Sequence, residues 1–175
     1  VTEAGDVKPY VFTVEDGLFI ERRQVILELS PETVFRSYTG IGGARGWMYM
    51  DWAWAIRGWM DKAIGGVGLR RGRRHPDEIN TGEALDFWRV ELVEKFRIMR
   101  LRAEMIVPGK AWLQFESTPL EEEKGKTVFT VTAYFEPYGV PGFLYWYSMW
   151  PFHKFIFDGL ARMLASRARV LAHAY

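Results

Sequence analysis

The stretch Phe129-Thr130-Val131-Thr132-Ala133-Tyr134-Phe135 decides the fold of this chain. Its apolar residues fall at every second position, the period that gives a strand one apolar and one polar face. The segment before it repeats the pattern: Ala111, Leu113 and Phe115 alternate with Trp112, Gln114 and Glu116, and the charged residues 121–126 read as the hairpin loop between the two. Further upstream, residues 85–93 and 96–107 flank a tight connection at Glu94-Lys95. In the second of these, Met99, Leu101, Ala103 and Met105 face one way, and Arg100, Arg102 and Glu104 the other. Pro108-Gly109 supplies a turn. Consecutive strands with one apolar face each imply an antiparallel sheet covered on one side.

What covers that face follows in the chain. Phe152, Phe155 or Ile156, Gly159 or Leu160, Met163 or Leu164, Arg167 and Leu171 trace one side of a C-terminal helix, which Pro151 is expected to break or kink from residues 143–150. Ahead of the sheet region, residues 18–29 favour a strand, and Ser30-Pro31-Glu32-Thr33 carries an N-cap and a proline at the first helical position. A second helix is expected over residues 50–64, with Trp52, Ile56, Trp59 or Met60, and Ala63 on one stripe and Gly65-Gly66 as its stop. Residues 1–16 are acidic and weakly patterned and read as a tail or linker, leaving 17–175 as one domain. The fold class is therefore α+β: a curved antiparallel sheet around a long C-terminal helix.

Composition narrows the function. A chain of 175 residues with 49% apolar and 26% charged residues is an ordinary globular domain, not a disordered or coiled-coil chain. A net charge of +1 excludes a globally basic nucleic-acid binder. With no cysteine there is no disulfide, thiolate metal site or cysteine nucleophile. That fits a reducing compartment, and a cytoplasmic location is expected. Val1-Thr2-Glu3-Ala4-Gly5-Asp6 carries no signal-peptide pattern and reads as a start cut from a longer protein.

Nucleotide motifs fail. Gly40-Ile41-Gly42-Gly43-Ala44-Arg45 has arginine where the third glycine belongs, and no strand leads into it. His75, His153 and His173 lie too far apart for zinc-ligand spacing, so no metal is expected. His153 reads either as an acid or base inside a cavity or as a structural hydrogen-bonder. The loop carrying Arg70, Arg71, Arg73 and Arg74 either grips a phosphate or carboxylate, or pairs with Asp51, Asp61, Asp77 or Glu78. Arg89, Arg100, Arg102 and Glu104 read first as cross-strand ion pairs on a solvated face. Trp and Tyr are the main clue, because aromatic rings with a polar handle suit the wall of a cavity or an interface.

The segments 43–76, 82–90, 101–105 and 108–113, with Leu144-Tyr145-Trp146-Tyr147 and Pro151-Phe152-His153, resemble a family of domains of unknown function. Such domains are often attached behind a Rossmann NAD(P)-binding domain of the short-chain dehydrogenase or nucleoside-sugar epimerase type. The chain is similar to the SRPBCC (START-like, Bet v 1-like) helix-grip superfamily. The resemblance implies a cavity between sheet and helix for a small lipophilic ligand, and an upstream Rossmann domain that would hold NAD(P); this chain itself would hold no cofactor. It carries over no catalytic residue. On physical grounds Trp47, Tyr49, Trp52, Arg70, Arg71, Trp88, Arg89, Trp112 and Tyr145 are the ligand-binding candidates, and Asp86, Glu104, Tyr134 and His153 the acid–base candidates. The alternatives are a cavity enzyme and an interaction module, the latter a homodimer interface or a membrane contact. Nucleic acid is not expected as a partner, and membrane contact ranks low.

Overall fold

The computed structural model describes residues 8–42, 45–47, 49–69 and 72–173. Within them, seven strands form one antiparallel sheet: β1 (Lys8–Glu15), β2 (Leu18–Leu27), β3 (Ala84–Leu85), β4 (Trp88–Glu94), β5 (Ile98–Ala103), β6 (Gly109–Pro119) and β7 (Thr127–Pro137), in the order β1-β2-β7-β6-β5-β4-β3. Among the described residues three helices complete it: α1 (Pro31–Thr39), α2 (Asp51–Ala63) and α3 (Gly139–His173). Alternation sets the inner face, with Val25, Leu27, Leu101, Leu113, Phe115, Phe129 and Val131 buried against Phe157, Leu160 and Leu164 of α3. This is the helix-grip arrangement.

Local chemistry explains the helix starts and turns. Ser30 Oγ accepts the backbone N–H of Thr33 at 3.2 Å, and Pro31 opens α1. Residues 8–15 are a strand and not a tail: Asp16 and Gly17 both hold positive φ (49° and 81°), as a two-residue hairpin turn requires, so β1 folds back onto β2.

Two further expectations are corrected. Helix α3 runs unbroken through Pro151. The carbonyl that proline leaves without its donor is that of Tyr147, on the exposed side of the helix, where water can satisfy it. On α2 the buried residues are Trp54, Gly58 and Asp61, while the Trp52, Ile56 and Trp59 stripe faces outward. A Cβ on Gly58 would lie 2.6 Å from Cβ of Leu69, so only glycine allows that loop to cross so close. Asp61 turns inward because it accepts the backbone N–H groups of Gly68 (3.0 Å) and Ile106 (2.7 Å).

Candidate functional site

The interior between sheet and α3 is a continuous aromatic wall. Trp47 stacks on Trp54 at 4.7 Å between centroids, and both adjoin Phe87, which adjoins Trp88. Trp54 meets Phe157 of α3 at 6.4 Å, Phe157 meets His153 at 5.3 Å, and His153 meets Trp146 at 5.2 Å. Trp146 then closes onto Phe19 and Phe135. These rings fill the interior at the N-terminal half of α3 and under α2.

Polar atoms are set into this wall. Asp86, in the two-residue turn between β3 and β4, is fully buried and accepts the Trp47 indole N–H at 2.7 Å. Arg23 and Glu21 share the inner face of β2; both are buried, and Arg23 donates to Glu21 at 3.2 Å and also to Asp158 of α3. Arg23 lies over the Phe157 ring at 5.6 Å. Burial, reinforced by the nearby Arg23 charge, pushes the His153 imidazole down to about 4, so it is neutral at physiological pH. Among the described residues, Nδ1 of His153 and the Nε1 atoms of Trp54, Trp88 and Trp146 are buried without a hydrogen-bond partner. Buried polar atoms are nearly always paired, because an unpaired one costs about 1–3 kcal/mol.

The sequence candidates divide across the sheet. Trp47, Trp88, Asp86 and His153 lie inside the grip, and half-buried Tyr49 presses its ring against Gly159 of α3. Tyr145 is half-buried beside Phe135 in the smaller core around Trp146. The remaining described candidates do not join them. Trp52 is 63% exposed on the outer side of α2. Arg89 and Glu104 form a two-bond ion pair (2.9 and 3.2 Å) on the outer face, as the alternation of their strands requires. Trp112 and Tyr134, cross-strand neighbours, line an outer-face concavity of about 590 Å³ with Arg100. Arg70 and Arg71 lie outside the described residues. Of their neighbours, Arg73 donates to the carbonyls of Ile41, Pro76 and Glu78, and Arg74 pairs with Glu83 at 2.9 Å.

Glu21, Arg23 and Asp158 escape the sequence reading, whereas Trp54 and Trp146 are among the tryptophans it reads as wall material without being ligand-binding candidates. The signal was present in β2, where Glu21 and Arg23 share the parity of apolar Phe19, Val25 and Leu27. A groove of about 860 Å³ also lies between α1, residues 75–81, the β4–β5 turn and the end of α3. Among the described residues, no three His, Asp or Glu side chains are grouped to hold a metal ion, and no helix is long and apolar enough to cross a membrane.

Solved structures share this architecture at low identity. A protein from Arthrobacter aurescens has 13% identity and a TM-score of 0.54 over 96% of this chain and 93% of its own. Norcoclaurine synthase from Thalictrum flavum has 10% identity and a TM-score of 0.51 over 93% and 88%. The protein Ms6760 from Mycobacterium smegmatis has 9% identity and a TM-score of 0.50 over 97% and 100%. These likenesses fix the fold as helix-grip. No curated protein matches the chain in sequence. Residues 14–160 match the family described as Protein of unknown function (DUF2867), and the chain belongs to that family.

Proposed function

We propose that this domain binds a small lipophilic or amphipathic molecule between the sheet and α3. The observation that carries the reading is the set of unpartnered buried ring atoms, His153 Nδ1 and the Nε1 atoms of Trp54, Trp88 and Trp146, in one aromatic wall. A ligand with an apolar body and one or two polar atoms would cover the rings and pair those groups. Its admission requires side chains of the wall to re-pack, since they occupy the space themselves. Inside the grip, Arg23 beside Phe157 would be the cation to meet an acidic end group, whereas Arg89 is engaged with Glu104 on the outer face.

Binding is favoured over catalysis by the placement of the acid–base candidates. Glu104 and Tyr134 are separated by the sheet from Asp86 and His153, so the four do not converge. In the cell the domain would be cytoplasmic. It would serve as the accessory module of an NAD(P)-dependent oxidoreductase or epimerase whose Rossmann domain holds the cofactor.

Native mass spectrometry of the purified chain, followed by organic extraction, tests this reading. A stoichiometric lipophilic species is expected. An empty protein with no thermal shift across lipids, quinones and sterols overturns it.

A further inference from the structure

The outward stripe of α2 is not an isolated apolar edge. Trp52, Ile56, Trp59, Met60 and Ile64 are all exposed, Trp59 at 71%. The first half of α3 presents a second such surface, with Phe143, Leu144, Tyr147, Phe152 and Phe155 exposed, Phe155 at 70%. One loop joins the two. Arg57 of α2 donates to the Ile106 carbonyl at 3.2 Å, Asp61 accepts the Ile106 N–H, and Pro108 accepts the Tyr138 N–H at 3.0 Å just before α3 begins. Ile106, 49% exposed, sits on the bridge between the two apolar surfaces. Exposed apolar residues gathered on two elements linked by one loop mark an interaction surface.

Charge on this face selects the partner. Residues 139–157 contain no acidic residue and one cation, Lys154, which is exposed. Both acids of α2 are withdrawn: Asp61 is buried on backbone N–H groups, and half-buried Asp51 accepts the Trp47 N–H at 3.0 Å. Glu104 in the bridging loop is held by Arg89. The cations Arg57 and Lys62 remain on the α2 side. A face of Trp, Tyr and Phe with cations at its margin and its acids turned away matches the interface of an anionic bilayer, where amphipathic aromatic rings sit at headgroup depth.

We infer that α2, the 104–108 loop and the first half of α3 form a docking face for the surface of anionic lipid bilayers, lying in the interface without spanning it. The inference stands apart from ligand binding and holds whether or not the interior takes one.

The test is co-sedimentation of the purified chain with phosphatidylcholine vesicles and with vesicles also containing phosphatidylserine. The expected result is pelleting with the anionic vesicles, weakened by salt, with tryptophan emission quenched by brominated acyl chains. Trp59 and Phe155 are largely solvent-exposed, so the double variant W59S/F155S should keep its thermal midpoint while losing at least about tenfold in partitioning. Lys154→Glu should weaken partitioning about fivefold or more, since one cation near an anionic surface contributes about that factor. Absence of pelleting from anionic vesicles overturns the inference. So does a dimer in solution that W59S/F155S converts to monomer with no vesicle binding, which would assign the face to a second copy.

Discussion

The indole N–H of Trp47 points at the carboxylate of Asp86 across 2.7 Å, with both residues buried to the last few per cent of their surface. Asp86 holds φ at +53° in the β3–β4 turn, a conformation that aspartate and asparagine tolerate better than other residues. The pair therefore ties the turn to the aromatic wall. Asp86→Ala should destabilise the fold by about 3 kcal/mol, combining a lost charge-assisted hydrogen bond with left-handed strain. Asp86→Asn keeps an acceptor and the turn preference and should cost clearly less. Urea unfolding of the two variants checks the order.

His153 makes stability depend on pH. Its folded imidazole is pushed down to about 4 by burial, then by Arg23, against about 6.5 when unfolded. Between those values the unfolded chain binds more protons, so stability rises with pH across the window. The contribution is fully present above pH 6.5 and is lost as pH falls through 4, in total roughly 3 kcal/mol. His153→Phe should flatten this part of the profile, read as the urea midpoint at pH 7.5 and pH 4.5.

Asp61 fastens two loops to α2 by accepting from Gly68 and Ile106. Asp61→Ala leaves both N–H groups without that acceptor and should cost about 2–4 kcal/mol. Hydrogen exchange at the Ile106 amide should accelerate more than exchange in β6 and β7, because the loop is released before the sheet.

Gly159 is where α3 meets the ring of Tyr49. A Cβ there would lie 2.0 Å from Tyr49 Cε1. Gly159→Ala should push Tyr49 and the start of α2 away from α3, at about 1–3 kcal/mol as overpacking. If the interior takes ligand beside α2, the same substitution changes the rate of uptake in stopped-flow tryptophan fluorescence.

Much of this architecture is legible in the sequence because strand alternation is a local signal. Phe129 to Phe135 has the period of a half-buried strand, and Ser30-Pro31 marks a helix start whatever lies around it. Strand β1 escaped because Val11, Phe12 and Val14 are exposed on an edge strand and give no buried face. Its signal was the turn, Asp16-Gly17. The stripe of α2 was read the wrong way round for a different reason. Its buried face is Trp54, Gly58 and Asp61, and neither a glycine admitting a neighbouring loop nor an acid buried on backbone N–H groups registers as hydrophobic.

The candidate site was less legible than the fold. Trp47 and Trp88 were identified because tryptophan in quantity asks for a wall, but which rings share it depends on how α2 lies over α3. Trp112 and Trp52 have the same chemistry and fall outside. Strand parity separates Arg89, Glu104, Trp112 and Tyr134 from the interior, and the same parity places Glu21 and Arg23 inside. Charge alone argues for the opposite assignment, since the buried location of Arg23 depends on Asp158, which is 135 residues away.

Indole N–H resonances test the central claim most directly. The chain has eight tryptophans, each giving one Nε1–H signal in a nitrogen-15 correlation spectrum. On titration with the lipophilic species extracted from the protein, or with a panel of fatty acids, quinones and sterols, the signals of Trp54, Trp88 and Trp146 should shift together and saturably. Those of Trp52, Trp59 and Trp112 should stay in place. Shifts confined to the exposed tryptophans, or none at all, would contradict a ligand site between the sheet and α3.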